Sequence, residues 1–228
     1  MTPEEYNPYA PPQADLIQRP PSTDRLEPIL GNVAWPLTFH FKFLTFAPKV
    51  YVRDANGQEV MFVRQRLFKF REHVELFTDS SRQTKLGDIR ADRIIDWSAR
   101  YSFTDSAGEA IGSVGRKGWR SIWRAHYEVF NPGDQIADFQ VREENPMAKV
   151  LDAIFGQIPF IGMATLWLFH PRYIANAAEN APAMRLTKLP AFLEGRFRLD
   201  LLTPLPVRQQ MNLILSYFML ALLERRRG

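Results

Sequence analysis

The sequence predicts a mainly β fold: a twelve-stranded antiparallel closed barrel of repeated hairpins, with an apolar C-terminal helix buried in it. Three observations predict it. Apolar residues recur with period two along short segments, turn residues recur at a fixed spacing, and one apolar run near the C-terminus is too short to cross a bilayer. At 228 residues, 46% hydrophobic and 24% charged, the chain is long enough for one medium domain with a sizeable core. The absence of Cys excludes a disulfide scaffold, a thiolate nucleophile and any Cys-based metal or cluster site.

Residues 1–36 read as a disordered, Pro-rich, acidic tail. They hold eight of the 17 prolines and show no apolar period. Proline fixes φ and lacks an N–H, so an extended, mobile segment is expected. The segment lacks the basic start and apolar run of a secretory signal. Asn7-Pro8-Tyr9-Ala10-Pro11-Pro12 is readable as a partner-docking stretch or as plain leader. Glu4, Glu5, Asp15, Asp24 and Glu27 outnumber Arg19 and Arg25, so the remaining chain carries more than the whole net charge of +4. A basic domain behind an acidic tail suits an anionic partner, or is simply a solvated basic surface.

From residue 37 the pattern is strand-like. Phe39, Phe41 and Phe43 alternate with Thr38, His40 and Lys42, and the same period runs through Phe68–Leu76 and Phe197–Leu201. Turn signals punctuate it. Asp54-Ala55-Asn56-Gly57, Asp79-Ser80-Ser81-Arg82, Asp105-Ser106-Ala107-Gly108 and Asn131-Pro132-Gly133-Asp134 each separate two apolar runs. Their leading Asx residues stand 25, 26 and 26 residues apart. Asx side chains cap turns and Gly supplies positive φ, so each repeat is one hairpin plus a connection. A fifth copy turns at Asn176 and continues through Ala183–Leu186, one period later plus an apolar insertion near 146–170. Five hairpins, a strand at 38–44 and another at 195–202 make twelve strands. Closure into a barrel hides the edges of so many consecutive strands.

Met211–Leu223 is apolar except for Asn212 and Ser216, follows Pro204-Leu205-Pro206 and ends in Glu224-Arg225-Arg226-Arg227. Pro near a helix start and Arg at its end predict a helix over 205–225. Being apolar all round, it must be surrounded; thirteen residues rise only about 20 Å, short of the ~30 Å hydrocarbon slab. Val150–Phe169 is broken by Gly156, Pro159 and Gly162. Within it Ile158, Phe160, Ile161 and Met163 form an apolar loop that reads as a membrane or protein contact, or as a loop folded back onto the core.

No catalytic constellation emerges. The four His, at 40, 73, 126 and 170, form no ligand pair, and His73 and His126 fall on polar strand phases. Gly108, Gly112, Gly115 and Gly118 lack the Lys-Ser/Thr of a phosphate loop and read as hairpin glycines. A non-catalytic protein without cofactor or metal is expected. The strongest binding candidates are two basic clusters. Arg116, Lys117, Arg120 and Arg124 surround Trp119 and Trp123, with no acid between Glu109 and Glu128. Trp favours a lipid–water boundary, and each cation near an anionic surface gains about 1 kcal/mol. The other cluster is Arg64, Arg66, Lys69 and Arg71, of which Arg64 and Arg66 share a strand phase. For each, the competing reading is a core Trp pair and a solvated basic rim.

A barrel of repeated hairpins around an apolar C-terminal helix resembles the tubby C-terminal-like superfamily, including the LURP-one-related proteins and the phospholipid scramblases. The residues that carry the likeness are Tyr51–Arg64 with its Asp-x-x-Gly turn, Tyr101–Gly112, Arg185–Lys188, Pro190-Ala191-Phe192, Gly195-Arg196-Phe197 and the final helix, over about 38–225. The resemblance implies a barrel threaded by its own helix that binds phosphoinositides or other anionic membrane lipids. In the scramblase branch it also implies lipid translocation. That branch's acidic calcium-binding stretch has only Asp200 here between Leu199 and Pro206, and its palmitoylated Cys cluster has no counterpart. The expected function is therefore that of a scramblase-related, lipid-binding barrel in the cytoplasm, peripheral on the inner face of the plasma membrane. The alternatives are a protein-interaction module using the tail and the 158–163 loop, or a true scramblase; nucleic acid is not an expected partner.

Overall fold

The computed structural model describes residues 22–42, 49–64, 73–91, 100–116, 126–144, 171–191 and 195–225. Twelve strands close into one antiparallel barrel in which each pairs with its neighbours in sequence and the first pairs with the last. They are β1 (Leu37–Lys42), β2 (Lys49–Arg53), β3 (Glu59–Arg64), β4 (His73–Phe77), β5 (Lys85–Ala91) and β6 (Arg100–Asp105). The circuit continues through β7 (Ala110–Arg116), β8 (His126–Phe130), β9 (Phe139–Glu143), β10 (Arg172–Asn176), β11 (Pro182–Leu189) and β12 (Gly195–Leu201). The five hairpins of the sequence repeat are β2–β3, β4–β5, β6–β7, β8–β9 and β10–β11. Closure is made by β1, whose Phe39 lies opposite Val52 on one side and Phe197 on the other.

Period two explains the wall. Along β1, Leu37, Phe39 and Phe41 point inward and are buried, while Thr38, His40 and Lys42 face out. A barrel of eight strands can be filled by its own side chains, but twelve enclose a wider space. Helix α2 (Val207–Arg225) fills it: every residue from Met211 to Leu222 is buried. Phe41 stacks on Phe218 at 6.2 Å between ring centres and meets Phe197 edge-on at 5.5 Å, joining helix to wall. Burying a Leu or Phe side chain is worth about 1.5–3 kcal/mol, so an apolar helix and an apolar lining stabilise each other.

The polar residues of α2 are built into this packing. Asn212 is fully buried and its Nδ2 donates to the Phe130 carbonyl at 3.0 Å. Beside it stands Gly112 on β7, where a Cβ would overlap the Asn212 carboxamide. Ser216 Oγ donates back to the Asn212 carbonyl at 2.7 Å, and the Tyr217 hydroxyl donates to the Met184 carbonyl at 2.7 Å. Burial, with no water to solvate a phenolate, pushes the Tyr217 hydroxyl well above its ordinary pKa.

One expectation is corrected. A structureless segment does not extend to residue 36, because Ser22–Leu30 forms a helix, α1, with Pro28 in its last turn. Leu26 and Leu30, one turn apart, are buried in the barrel core with Ile29 beside them, and α1 packs on α2. Two well-placed leucines bury enough surface to override the high Pro content. Residues 1–21, including the 7–12 stretch, lie outside the described residues, as does the 146–170 insertion.

Candidate functional site

The meander gives the barrel two chemically different ends. All five hairpin turns, the start of β1 and the entry to α2 share one end; the connections between hairpins leave from the other. At the first end the Asx repeat becomes geometry. Asp54 Oδ1 accepts from the backbone N–H of Asn56 and Gln58, both at 2.9 Å, and Asp105 Oδ1 accepts from those of Ala107 and Glu109, also at 2.9 Å. Gly57 and Gly108 close these turns at φ +82° and +85°. A register shift falls just before the turn in four of the five hairpins. This is the type I turn with a left-handed residue and a bulge, repeated round the rim. In the second turn Arg82 takes the glycine position at φ +59°. In the fourth the cap comes from the far side, Asp138 Oδ2 accepting from Asn131 N–H at 2.7 Å. Because carboxylates cap these turns, acids predominate at this end: Asp54, Glu59, Asp79, Asp105, Glu109, Asp134 and Asp138 lie on or beside them, against Arg53, Arg82, Lys85 and Arg208.

The opposite end is basic. β1 ends on Lys42 and β2 begins on Lys49; β3 ends on Arg64 and β7 on Arg116; β10 begins on Arg172, and Arg196 opens β12 after Gly195. Glu143 and Glu144 are acids at this end, and Arg185 takes up Glu144 through Nε at 3.1 Å and Nη2 at 2.9 Å. Arg64 and Arg116 therefore have their backbones at one end of the barrel, at the two strand ends that lead into the two predicted basic clusters. Lys117, Trp119, Arg120, Trp123 and Arg124 lie outside the described residues, as do Arg66, Lys69, Arg71, Ile158, Phe160, Ile161 and Met163. The strand ends flanking 65–72, 117–125 and 145–170 nonetheless share this end. Lys42, Lys49, Arg172 and Arg196 were not singled out by sequence reasoning; each is a lone cation until the circuit sets the strand ends together.

One further polar cluster sits on the outer wall at β4–β5. His73 Nε2 is hydrogen-bonded to Asp88 Oδ1, and Lys85 Nζ lies 3.0 Å from the same oxygen and 3.7 Å from Glu75 Oε1. Burial works against the Asp88 charge, but the hydrogen bonds and positive charges of His73 and Lys85 outweigh it, and its carboxyl sits below the ordinary value. His73 is exposed, as its polar strand phase predicts, and is also engaged by Asp88. Among the described residues no helix is long and apolar enough to cross a membrane. The outward strand faces carry charge where a lipid-embedded barrel needs an apolar band. No known protein family, curated protein or solved structure matches the chain.

Proposed function

We propose that this chain is a non-catalytic, peripheral binding protein for anionic membrane lipids, related to the tubby C-terminal-like and scramblase proteins it resembles, and that it meets the bilayer with the basic end of its barrel. One observation carries the reading: the strand ends that lead into both basic, Trp-bearing or Arg-rich segments and into the apolar 145–170 segment share one end, opposite the acidic turns. Such a charge division orients a protein on a negative surface, attracting one pole and repelling the other. Tilting the barrel brings Lys42, Lys49, Arg172 and Arg196 to the same surface.

Co-sedimentation with vesicles tests this. Phosphatidylcholine vesicles containing phosphatidylserine or a phosphoinositide should pull the protein down at low salt and release it at about 0.5 M salt, where charge is screened within a few Å. Pure phosphatidylcholine should retain little. No binding at low salt would overturn the reading. Replacing Lys117, Arg120 and Arg124 with Gln should weaken binding at least tenfold, as three lost cations at about 1 kcal/mol each require.

A further inference from the structure

Closure lays β12, β1 and β2 side by side, and their outward side chains form a continuous wall. The register sets Arg196 opposite His40 and His40 opposite Tyr51; Lys42 follows His40 on β1, and Arg53 follows Tyr51 on β2. These five residues line a groove of about 310 Å³, and among the described residues no carboxylate lines it. Lys42 Nζ lies 5.6 Å and Arg53 Cζ 5.7 Å from the Tyr51 ring centre, so two cations share one aromatic ring. Arg53 is partly taken up by Glu59 at 3.3 Å. Lys42 and Arg196 have no ion-pair partner among the described residues. The Tyr51 ring is itself held in place, 5.1 Å from Phe62.

Like charges gathered in a concave site repel one another until an anion joins them. The donor set here is a guanidinium fork from Arg196, an ammonium from Lys42, a shared guanidinium from Arg53 and the Tyr51 hydroxyl. A phosphomonoester, with about two negative charges and three acceptor oxygens, matches that set better than a single carboxylate does. The volume is at the lower limit of small-ligand sites and suits one phosphorylated ring rather than a nucleotide or a peptide.

We propose that the β12–β1–β2 groove is a binding site for a phosphomonoester, with Arg196 and Lys42 as its principal anchors. The same chemistry is carried by a soluble sugar or inositol phosphate and by a phosphoinositide headgroup. In its lipid form the proposal rests on the reading of the barrel as a membrane binder; in its soluble form it stands without it.

The test is calorimetric titration of the full chain with inositol 1,4,5-trisphosphate and, separately, with inorganic phosphate, beside co-sedimentation on vesicles carrying phosphatidylinositol 4,5-bisphosphate. The variants are Arg196→Gln, Lys42→Gln, the pair together, and Lys188→Gln as a control on β11 outside the groove. The wild type and K188Q should bind the trisphosphate, and the double variant should bind it at least tenfold more weakly with an unchanged melting temperature, since both side chains are exposed. Tyr51→Phe, which keeps the ring and removes the hydroxyl, should give a smaller loss. Weaker binding of the double variant to both trisphosphate and vesicles identifies the headgroup as the ligand source; loss for trisphosphate alone identifies a soluble phosphate. Vesicle binding without trisphosphate or phosphate binding would overturn the groove and leave the membrane reading standing. Trisphosphate binding without vesicle binding would do the reverse. Trisphosphate binding that is indifferent to both Arg196→Gln and Lys42→Gln would also overturn the proposal.

Discussion

A single carboxylate oxygen does the same task in the first and third turns. In Asp54 and Asp105 it holds two backbone N–H groups and lets the chain reverse within four residues. Both side chains are buried, so truncation strands two donors; Asp105→Ala should cost about 2–3 kcal/mol in urea unfolding, the range for hydrogen bonds to a charged group. Arg82 holds the left-handed position that glycine holds in its sister turns, and Arg82→Gly should leave stability unchanged or raise it by up to about 1 kcal/mol. Asp88 makes a pH prediction. Its folded-state carboxyl lies below its ordinary value near 3.8, so its contribution is present above that value and is lost as pH falls through the folded value. Wild type should therefore lose urea-midpoint stability below about pH 4 more steeply than Asp88→Asn does, with the two curves converging in acid.

Among elements, α2 and β7 meet at one close approach, Asn212 against Gly112. The hairpin reading of Gly112 misses what stands opposite it, because nothing local in Ile111-Gly112-Ser113 signals a buried amide from a helix a hundred residues on. Gly112→Ala should cost about 1–3 kcal/mol through overpacking. Asn212→Ala should cost a similar amount by stranding the Phe130 carbonyl. The double variant should cost less than the sum, since removing the amide makes room for the methyl group. At the same scale α1 shows why composition misleads. Proline count measures backbone preference, whereas Leu26 and Leu30 gain their stability only when α2 and the barrel are already there to cover them.

At the scale of the molecule, wall and plug are one folding unit. An apolar lining without α2 would face water, and α2 outside the barrel would be an insoluble helix. A chain ending at Pro206 should fail to fold cooperatively: near-UV circular dichroism should collapse and dye binding to exposed apolar surface should rise. The two ends follow from the same circuit. Tight turns recruit Asp and Asn for their capping geometry, which gives that rim an excess of acid over Arg53, Arg82, Lys85 and Arg208, while cations predominate at the other.

The sequence by itself determined the strand count, the five hairpins, the closure and the buried helix, because period-two burial and Asx–Gly turns are written over a few neighbouring residues. It also marked Arg64 and Arg116 as members of basic clusters. Only the tertiary structure decided which lone residues meet. Arg196 joins His40 and Tyr51 because closure sets the last strand against the first at one particular register, and a shift of one residue would turn every cation of that wall inward. Register is a property of two strands packed together, and so the groove between β12 and β2 had no signature in either strand alone.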